Sequence, residues 1–369
     1  MNIAIISPDI YPYISGGVAI FNYHLVKELA TQGHKISVFT YFDHDWKNDN
    51  ITNVKLSRRS LLLVTPTVTF HILLKLKKLK KQIDIIHVPY TSNSNLAYPI
   101  YLANKFYNIS YIIFIHGGGM YPWKRQKIQK NFFQNADAII AVSEIIKKEY
   151  EKRCSKKIIV IPNLIPIKSS NQNKIDLLEK YNLKNKIIIL YLGTIKKIKG
   201  IETLIDAFID LGLKYVRNKN VQLMICGNGP LKKSLEKKID LIGFKENIKF
   251  LGYIDEQTKL EYLKMSDIYV IPSHLEAQSI SLLEAMSNGL PIIGSDTTGI
   301  NNLINDGNNG LLFPVNDKNI LKNKLKLLIE NQNLRLYLGR KSEDYYNEHF
   351  NYEEWLKKLV QIYTSSLNK

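Results

Sequence analysis

One alternation constrains the fold more than any other feature of the chain. Short runs of β-branched and other apolar residues are separated by amphipathic stretches, and the scheme occurs twice along 369 residues. This is the pattern of βαβ units around a parallel sheet, whose strands are buried on both faces and read as near-continuous apolar runs. In the first half it predicts strands at Ile3–Ser7, Lys35–Thr40, Ile83–Val88, Tyr111–Ile115, Ala138–Val142 and Ile158–Ile161. Helical periodicity between them is clearest over Val18–Thr31, where Ile20, Phe21, His24, Leu25, Glu28 and Leu29 recur at three-to-four spacing. The second half predicts strands at Ile187–Leu192, Val221–Cys226, Ile248–Leu251, Ile268–Ile271, Pro291–Gly294 and Leu311–Phe313. Between the halves lies Ile161-Pro162-Asn163-Leu164-Ile165-Pro166, followed by the polar run Lys168–Lys174. Each proline biases its preceding residue away from helix, so the chain passes extended here, and the junction is expected to divide residues 1–165 from 166–345. The length is about twice that of a typical single domain, which fits two α/β domains with separate cores.

Several classes are set aside by what the sequence lacks. No apolar run reaches the roughly 18 to 20 residues that span a bilayer, and Met1 leads into Asn2-Ile3-Ala4-Ile5-Ile6 without a basic n-region. Neither secretion nor membrane spanning is expected. Cys154 and Cys226 are the only cysteines, without metal-ligand spacing, so a reduced, cytoplasmic compartment, no zinc site and two core thiols are expected. The formal charge is +18. Residues 1–165 hold 22 Lys plus Arg against 10 Asp plus Glu, net +12, and residues 166–369 hold 29 against 23, net +6. Only seven of the 51 cations are arginine, and lysine is a hydrated point charge rather than a planar fork, which lowers sequence-specific nucleic-acid reading.

Chemistry concentrates at a few strand-to-helix turns. Glu276-Ala277-Gln278-Ser279-Ile280-Ser281-Leu282-Leu283-Glu284-Ala285-Met286 follows the strand Ile268–Ile271 and the break Pro272-Ser273. Ser279 or Ser281 can cap a helix that continues to Asn288 and stops at Gly289-Leu290-Pro291. Unpaired N–H groups at such a helix start suit a phosphate at the carboxyl ends of parallel strands. Glu276, just before the helix, and Glu284, two turns in, would flank that anion and accept hydrogen bonds from sugar hydroxyls; alone, two such glutamates are more often solvated helix positions. A second turn, Gly193-Thr194-Ile195-Lys196-Lys197-Ile198-Lys199-Gly200, supplies lysine charge where a diphosphate leaving group develops its own. Cys226-Gly227-Asn228-Gly229-Pro230 closes a third strand tightly, and Asn305–Phe313 reads as a hairpin-like turn and strand. His116 ends a strand before Gly117-Gly118-Gly119, a flexible turn that lets a ligand approach. His87 reads as structural, and His44, in Asp43-His44-Asp45, as a surface residue rather than a metal ligand.

In this order the segments resemble glycosyltransferase family 4, retaining nucleotide-sugar transferases with the GT-B fold, over nearly the whole chain. The family's diphosphate motif Gly-Arg-Leu-x-x-x-Lys-Gly is matched by Gly193, Ile195, Lys199 and Gly200, with Thr194 where the arginine is usual. Its Glu-x7-Glu pair is matched by Glu276 and Glu284. Pro12 with Gly16-Gly17 looks like its amino-terminal glycine loop. The resemblance implies two Rossmann-like domains facing a cleft, acceptor-binding in 1–165 and donor-binding in 166–345, with 346–369 a C-terminal segment packing back on the first. It implies His116, Glu276 and Lys199 as catalytic residues: Lys199 on the donor diphosphate, Glu276 and His116 at the transferred sugar. Donor-binding residues would be Gly16, Gly17, Gly193, Thr194, Gly227, Tyr253, Gln278, Ser279, Ile280, Ser281 and Glu284, the last on the nucleotide ribose. The expected reaction moves a hexose from a UDP- or GDP-sugar with retention, without cofactor or obligatory metal.

The acceptor is expected to be a glycolipid, polyprenyl-linked sugar or polysaccharide, at the inner face of the cytoplasmic membrane. Leu61–Gln82 sets an apolar stretch beside Lys75, Lys77, Lys78, Lys80 and Lys81, and Tyr121–Phe133 sets Trp123 and Phe132-Phe133 among Lys124, Arg125, Lys127 and Lys130. Basic residues beside an apolar face suit an anionic membrane surface. Two alternatives stay open: a DNA-modifying sugar transferase, suggested by the +18 charge, and a non-catalytic sugar-nucleotide-binding subunit, suggested by Thr194.

Overall fold

Strands of this composition pair in parallel when connected through helices, and most strands in both halves of the chain are so connected. The computed structural model describes residues 1–12, 16–56, 66–91, 96–117, 126–152 and 154–368, with 66–69 and 126–128 described in backbone only. The chain divides into two compact units, Met1–Pro166 together with Tyr352–Lys369, and Ile167–Asn351.

The first unit carries β1 (Asn2–Ile6), β2 (Lys35–Thr40), β3 (Ile51–Lys55), β4 (Ile85–Tyr90), β5 (Ser110–Ile115), β6 (Ala138–Ala141) and β7 (Ile158–Val160). They form a parallel sheet in the order β3-β2-β1-β4-β5-β6-β7. The sequence reading missed β3. Its Ile51-Thr52-Asn53-Val54-Lys55 has two apolar residues and pairs only with β2, so at a sheet edge it escapes the two-sided burial that makes the other strands legible. β4 also runs beyond the expected Val88, through Pro89. The register explains the exception: β1 pairs with β4 only from Ile85 to His87, so at Pro89 one edge is free and no ladder bond is lost there.

The second unit carries β8 (Ile187–Leu192), β9 (Val221–Cys226), β10 (Ile248–Gly252), β11 (Ile268–Ile271), β12 (Ile292–Ser295) and β13 (Leu311–Phe313), in the order β10-β9-β8-β11-β12-β13. β13 pairs in parallel with β12, which corrects the hairpin-like reading of Asn305–Phe313. Among the helices, Ile201–Ile209 buries Leu204, Ile205 and Phe208 completely, each contributing about 1.5 to 3 kcal/mol relative to exposure.

Both sheets are doubly wound. The strand order reverses beside β1 in the first and beside β8 in the second, so the crevices that bind ligands in such sheets lie at the carboxyl ends of β1 and β4, and of β8 and β11. The C-terminal helix Tyr352–Leu367 returns to the first unit, as the resemblance implies, burying Trp355, Leu356, Leu359 and Tyr363. Trp355 Nε1 donates to the Pro162 carbonyl at 2.6 Å, and the Tyr363 hydroxyl meets His87 Nδ1 at 2.8 Å. Cys154 and Cys226 are buried free thiols.

Candidate functional site

In the second unit the switch point is built from three interlocked turns. Gly193, after β8, donates its N–H to the Cys226 carbonyl at 3.0 Å, and Gly227 donates to Gly252 at 2.7 Å. Gly227 has φ +140°, and a Cβ there would lie 1.9 Å from the Gly193 carbonyl oxygen. Only glycine lets these backbones approach so closely. Gly200, with φ +63°, plays the same part across the switch point, where a Cβ would meet the Pro272 carbonyl oxygen at 1.8 Å. The loop after β8 is thereby pressed against the loop after β11.

Those contacts bring Lys199 and Glu276 together. Lys199 sits at the end of a 3-10 turn, Lys197–Lys199, and its ammonium pairs directly with Glu276 Oε1. Ser273 Oγ donates to the same carboxylate oxygen at 2.9 Å. Two residues read separately from sequence, one for a phosphate and one for a sugar, are each other's partner here.

Beyond Glu276, Ser279 caps the helix Ile280–Ser287, accepting from the Leu282 N–H at 3.3 Å. Ser281 lies 3.1 Å from Ser279, accepts from the Tyr269 hydroxyl at 2.9 Å and donates to the Leu192 carbonyl at 3.4 Å, tying the helix start to β8 and β11. First-turn amides of a helix have no carbonyl one turn earlier to bond; Ser279 takes those of Leu282 and Leu283, which leaves the N–H groups of Ile280 and Ser281 to serve an anion at this start. Gln278 is half-buried in the same loop.

Glu284 is buried in the second turn of that helix, with Lys259 Nζ 2.5 Å from its Oε1. Burial pushes its carboxyl above the usual range, and the Lys259 ammonium opposes the shift. Sequence reasoning missed Lys259: it lies on the helix Glu256–Met265, 25 residues from Glu284, and no local pattern marks it. Tyr253 follows β10 and is exposed, with its N–H 3.2 Å from the end of the Asn228 side-chain amide. Thr194 has its carbonyl tied by the Tyr191 hydroxyl at 3.0 Å, while Lys196 and Lys197 are exposed.

In the first unit His116 follows β5 and is buried. Its Nδ1 lies 2.9 Å from Asn163 Oδ1. Burial lowers its pKa to about 3, the Asn163 hydrogen bond opposing, so the ring is neutral. His87 is lowered to about 3 as well, by burial and then by His116. Gly16 caps the helix Gly17–Thr31, which begins at Gly17, while the loop positions 13–15 lie outside the described residues. His44 is half-buried and stacks on Trp46 with centroids 4.1 Å apart, rather than lying on the surface.

The basic segments divide. Trp123, Lys124 and Arg125, like Leu61–Thr65, lie outside the described residues. Phe132 and Phe133 are core residues packed on Tyr90, which corrects their reading as a membrane-facing pair. On the helix Pro66–Leu79, Ile72 and Leu76 face inward, whereas Phe70 is 63% and Leu74 41% exposed, beside exposed Lys77 and Lys78. Among the described residues no helix is long and apolar enough to cross a membrane.

Known proteins match this arrangement along most of the chain. Residues 15–169 match the model described as Glycosyltransferase Family 4, and residues 173–345 the model described as Glycosyl transferases group 1. The Methanocaldococcus jannaschii protein named as uncharacterized glycosyltransferase MJ1178 is 28% identical over 97% of both chains. Alpha-monoglucosyldiacylglycerol synthase of Streptococcus pneumoniae is 26% identical over 85% of this chain and 75% of its own. HepE of Anabaena, solved in complex with UDP-glucose, superposes with a TM-score of 0.80 at 16% identity over 99% of this chain and 100% of its own, a likeness of fold. Two adjoining family matches, one to each sheet, with relatives alike from end to end, make the chain a member of the family 4 glycosyltransferases, an enzyme of the GT-B fold.

Proposed function

We propose that the enzyme transfers a hexose, with retention, from a UDP- or GDP-sugar to a lipid-linked or cell-envelope glycan acceptor at an anionic membrane surface. The observation that carries the donor part is the Lys199–Glu276 pair beside the capped start of Ile280–Ser287. Without donor, Lys199 is neutralised by Glu276. A diphosphate at the helix amides takes over the lysine and frees the carboxylate for sugar hydroxyls, so one binding event readies both groups. As the bond from the anomeric carbon to the diphosphate breaks, Lys199 and the amides meet the departing negative charge, and Glu276 and His116 hold the sugar. Glu284 is assigned to the ribose, with Lys259 keeping it ionised. Thr194 removes one cation from the family's clamp, which leaves more of the charge to Lys199.

The likeness to a UDP-glucose-binding structure supports the sugar nucleotide. The diacylglycerol-linked product named in the Streptococcus relative, together with Phe70, Leu74, Lys77 and Lys78, supports the lipid acceptor. The phosphate charge is met by lysine and amides, so transfer is expected to need no metal.

A thermal-shift screen of UDP-glucose and other UDP- and GDP-sugars tests the donor, because a ligand at 100 times its Kd adds roughly 2.7 kcal/mol of stability. A hit that turns over, with unchanged rate in excess EDTA and an anomeric configuration matching the donor, supports the reading. Inversion, or activity lost to EDTA and restored by manganese, overturns the corresponding part. A hit that never turns over favours a sugar-nucleotide-binding subunit, and Thr194→Arg then tests whether the missing fork is the cause.

A further inference from the structure

His116 is enclosed by aromatic rings and by one amide. It stacks on Phe114 with centroids 4.6 Å apart and meets Phe21 edge-on at 4.8 Å. Its Nδ1 lies 2.9 Å from Asn163 Oδ1, and its Nε2 is buried with no hydrogen-bond partner among the described residues. A neutral imidazole carries one N–H, and an amide oxygen only accepts. The proton therefore sits on Nδ1, and Nε2 keeps its lone pair. The opposite tautomer would leave Oδ1 facing a second lone pair inside the protein.

Asn163 is in turn held from the far end of the chain. Trp355, on the C-terminal helix, donates to the carbonyl of Pro162, the residue before Asn163, at 2.6 Å. The same indole meets Phe21 with centroids 5.7 Å apart, so one side chain braces both the amide segment and a wall of the histidine's enclosure. Such bracing suits a ring whose orientation matters, since a loose amide would let the imidazole change tautomer.

We infer that Asn163 is a positioning residue that fixes His116 with its proton on Nδ1, so that Nε2 accepts a hydrogen bond from a hydroxyl of the bound sugar. The inference rests on the proposed contact of His116 with the sugar and deepens it. A ring protonated on Nε2 would be a donor and would suit a phosphate or carbonyl oxygen. A ring bare at Nε2 selects a ligand that brings its own O–H, and a buried acceptor left without one disfavours analogues that lack that hydroxyl.

The tautomer is read directly by two-bond proton–nitrogen correlation on the full chain labelled with nitrogen-15 in its eight histidines, with His116→Gln assigning the signal. The expected wild-type spectrum shows Nδ1 protonated and Nε2 bare. Asn163→Asp, which keeps an acceptor oxygen, retains that pattern, whereas Asn163→Leu shifts it toward Nε2–H. With the sugar nucleotide that turns over in the screen, Asn163→Leu lowers kcat roughly 10- to 100-fold, the range found when the partner that orients a metal-bound histidine is lost, and Asn163→Asp restores most of it. KM stays within about twofold. A wild-type signal protonated on Nε2, with His116→Ala inactive, overturns the inference alone. Wild-type turnover in His116→Ala overturns the underlying contact with the sugar instead. The wild-type spectrum decides the tautomer even if neither Asn163 variant folds.

Discussion

Lys199 and Glu276 neutralise each other in a site proposed to handle a diphosphate, and their pairing sets a competition that mutation can expose. Lys199→Ala removes charge stabilisation from the leaving group and is expected to cost about 100- to 1,000-fold in turnover. Glu276→Gln is expected to slow turnover too, yet to bind UDP several-fold more tightly, because Lys199 no longer has to leave a carboxylate. Calorimetric titration of UDP checks the second effect, and weaker UDP binding by Glu276→Gln would contradict the exchange. Lys259 and Glu284 form the more buried pair. Lys259→Met strands a carboxylate whose pKa burial already raises, and the expected loss is about 3 kcal/mol at pH 7. For an acid with a raised folded pKa, the cost appears as pH rises above the unfolded value. The loss should therefore shrink as pH falls toward 5, and urea melts at both pH values measure it. Lys199 and Glu276 were legible in sequence because each follows a strand at a turn. Lys259 was not, because its partner is supplied by a different helix.

Elements differ in how openly the sequence announces them. The helix Ile280–Ser287 was readable at both ends, from a cap at Ser279 or Ser281, of which the structure uses Ser279, and from the Gly289-Leu290-Pro291 stop, since capping acts within a few residues. β3 was not, because an edge strand needs only one buried face. The helix Pro66–Leu79 shows the limit most usefully. Its sequence carries apolar and basic residues together, but which apolar residues face inward depends on the neighbouring elements, and the fold buries Ile72 and Leu76 while leaving Phe70 and Leu74 exposed beside Lys77 and Lys78. Each cation near an anionic surface contributes about 1 kcal/mol, so reversing both lysines to glutamate should weaken binding to anionic vesicles by roughly 30-fold or more. Co-sedimentation at low salt reads the loss. Equal binding to neutral vesicles, or none to anionic ones, would point to a soluble acceptor.

At the scale of the molecule, the first unit encloses two neutral imidazoles, His87 and His116, each with a pKa lowered to about 3, against 6.5 in an unfolded chain. A base whose folded pKa is depressed contributes stability that is complete above the unfolded value and is lost as pH falls toward the folded one. Each group is expected to remove about 1.4 kcal/mol per pH unit between about 6 and 3. The Tm of the unit that contains them should fall steeply over that range. A His87→Leu, Tyr363→Phe double variant, which removes one imidazole and its partner's hydroxyl together, should show a shallower slope by about one proton. An unchanged slope would mean that His87 does not stay neutral. The amino-acid order by itself determined the two-unit α/β plan, most strands of both sheets and the glycine turns, because hydrophobic period, chain reversal and capping are written in neighbouring residues. Only the tertiary structure decided the pairings that qualify the site: Lys199 with Glu276, 77 residues apart, Lys259 with Glu284, and Asn163 with His116, 47 apart. Those depend on which strands become neighbours, and strand order is chosen by burial summed over a whole sheet, a quantity that no short stretch of sequence contains.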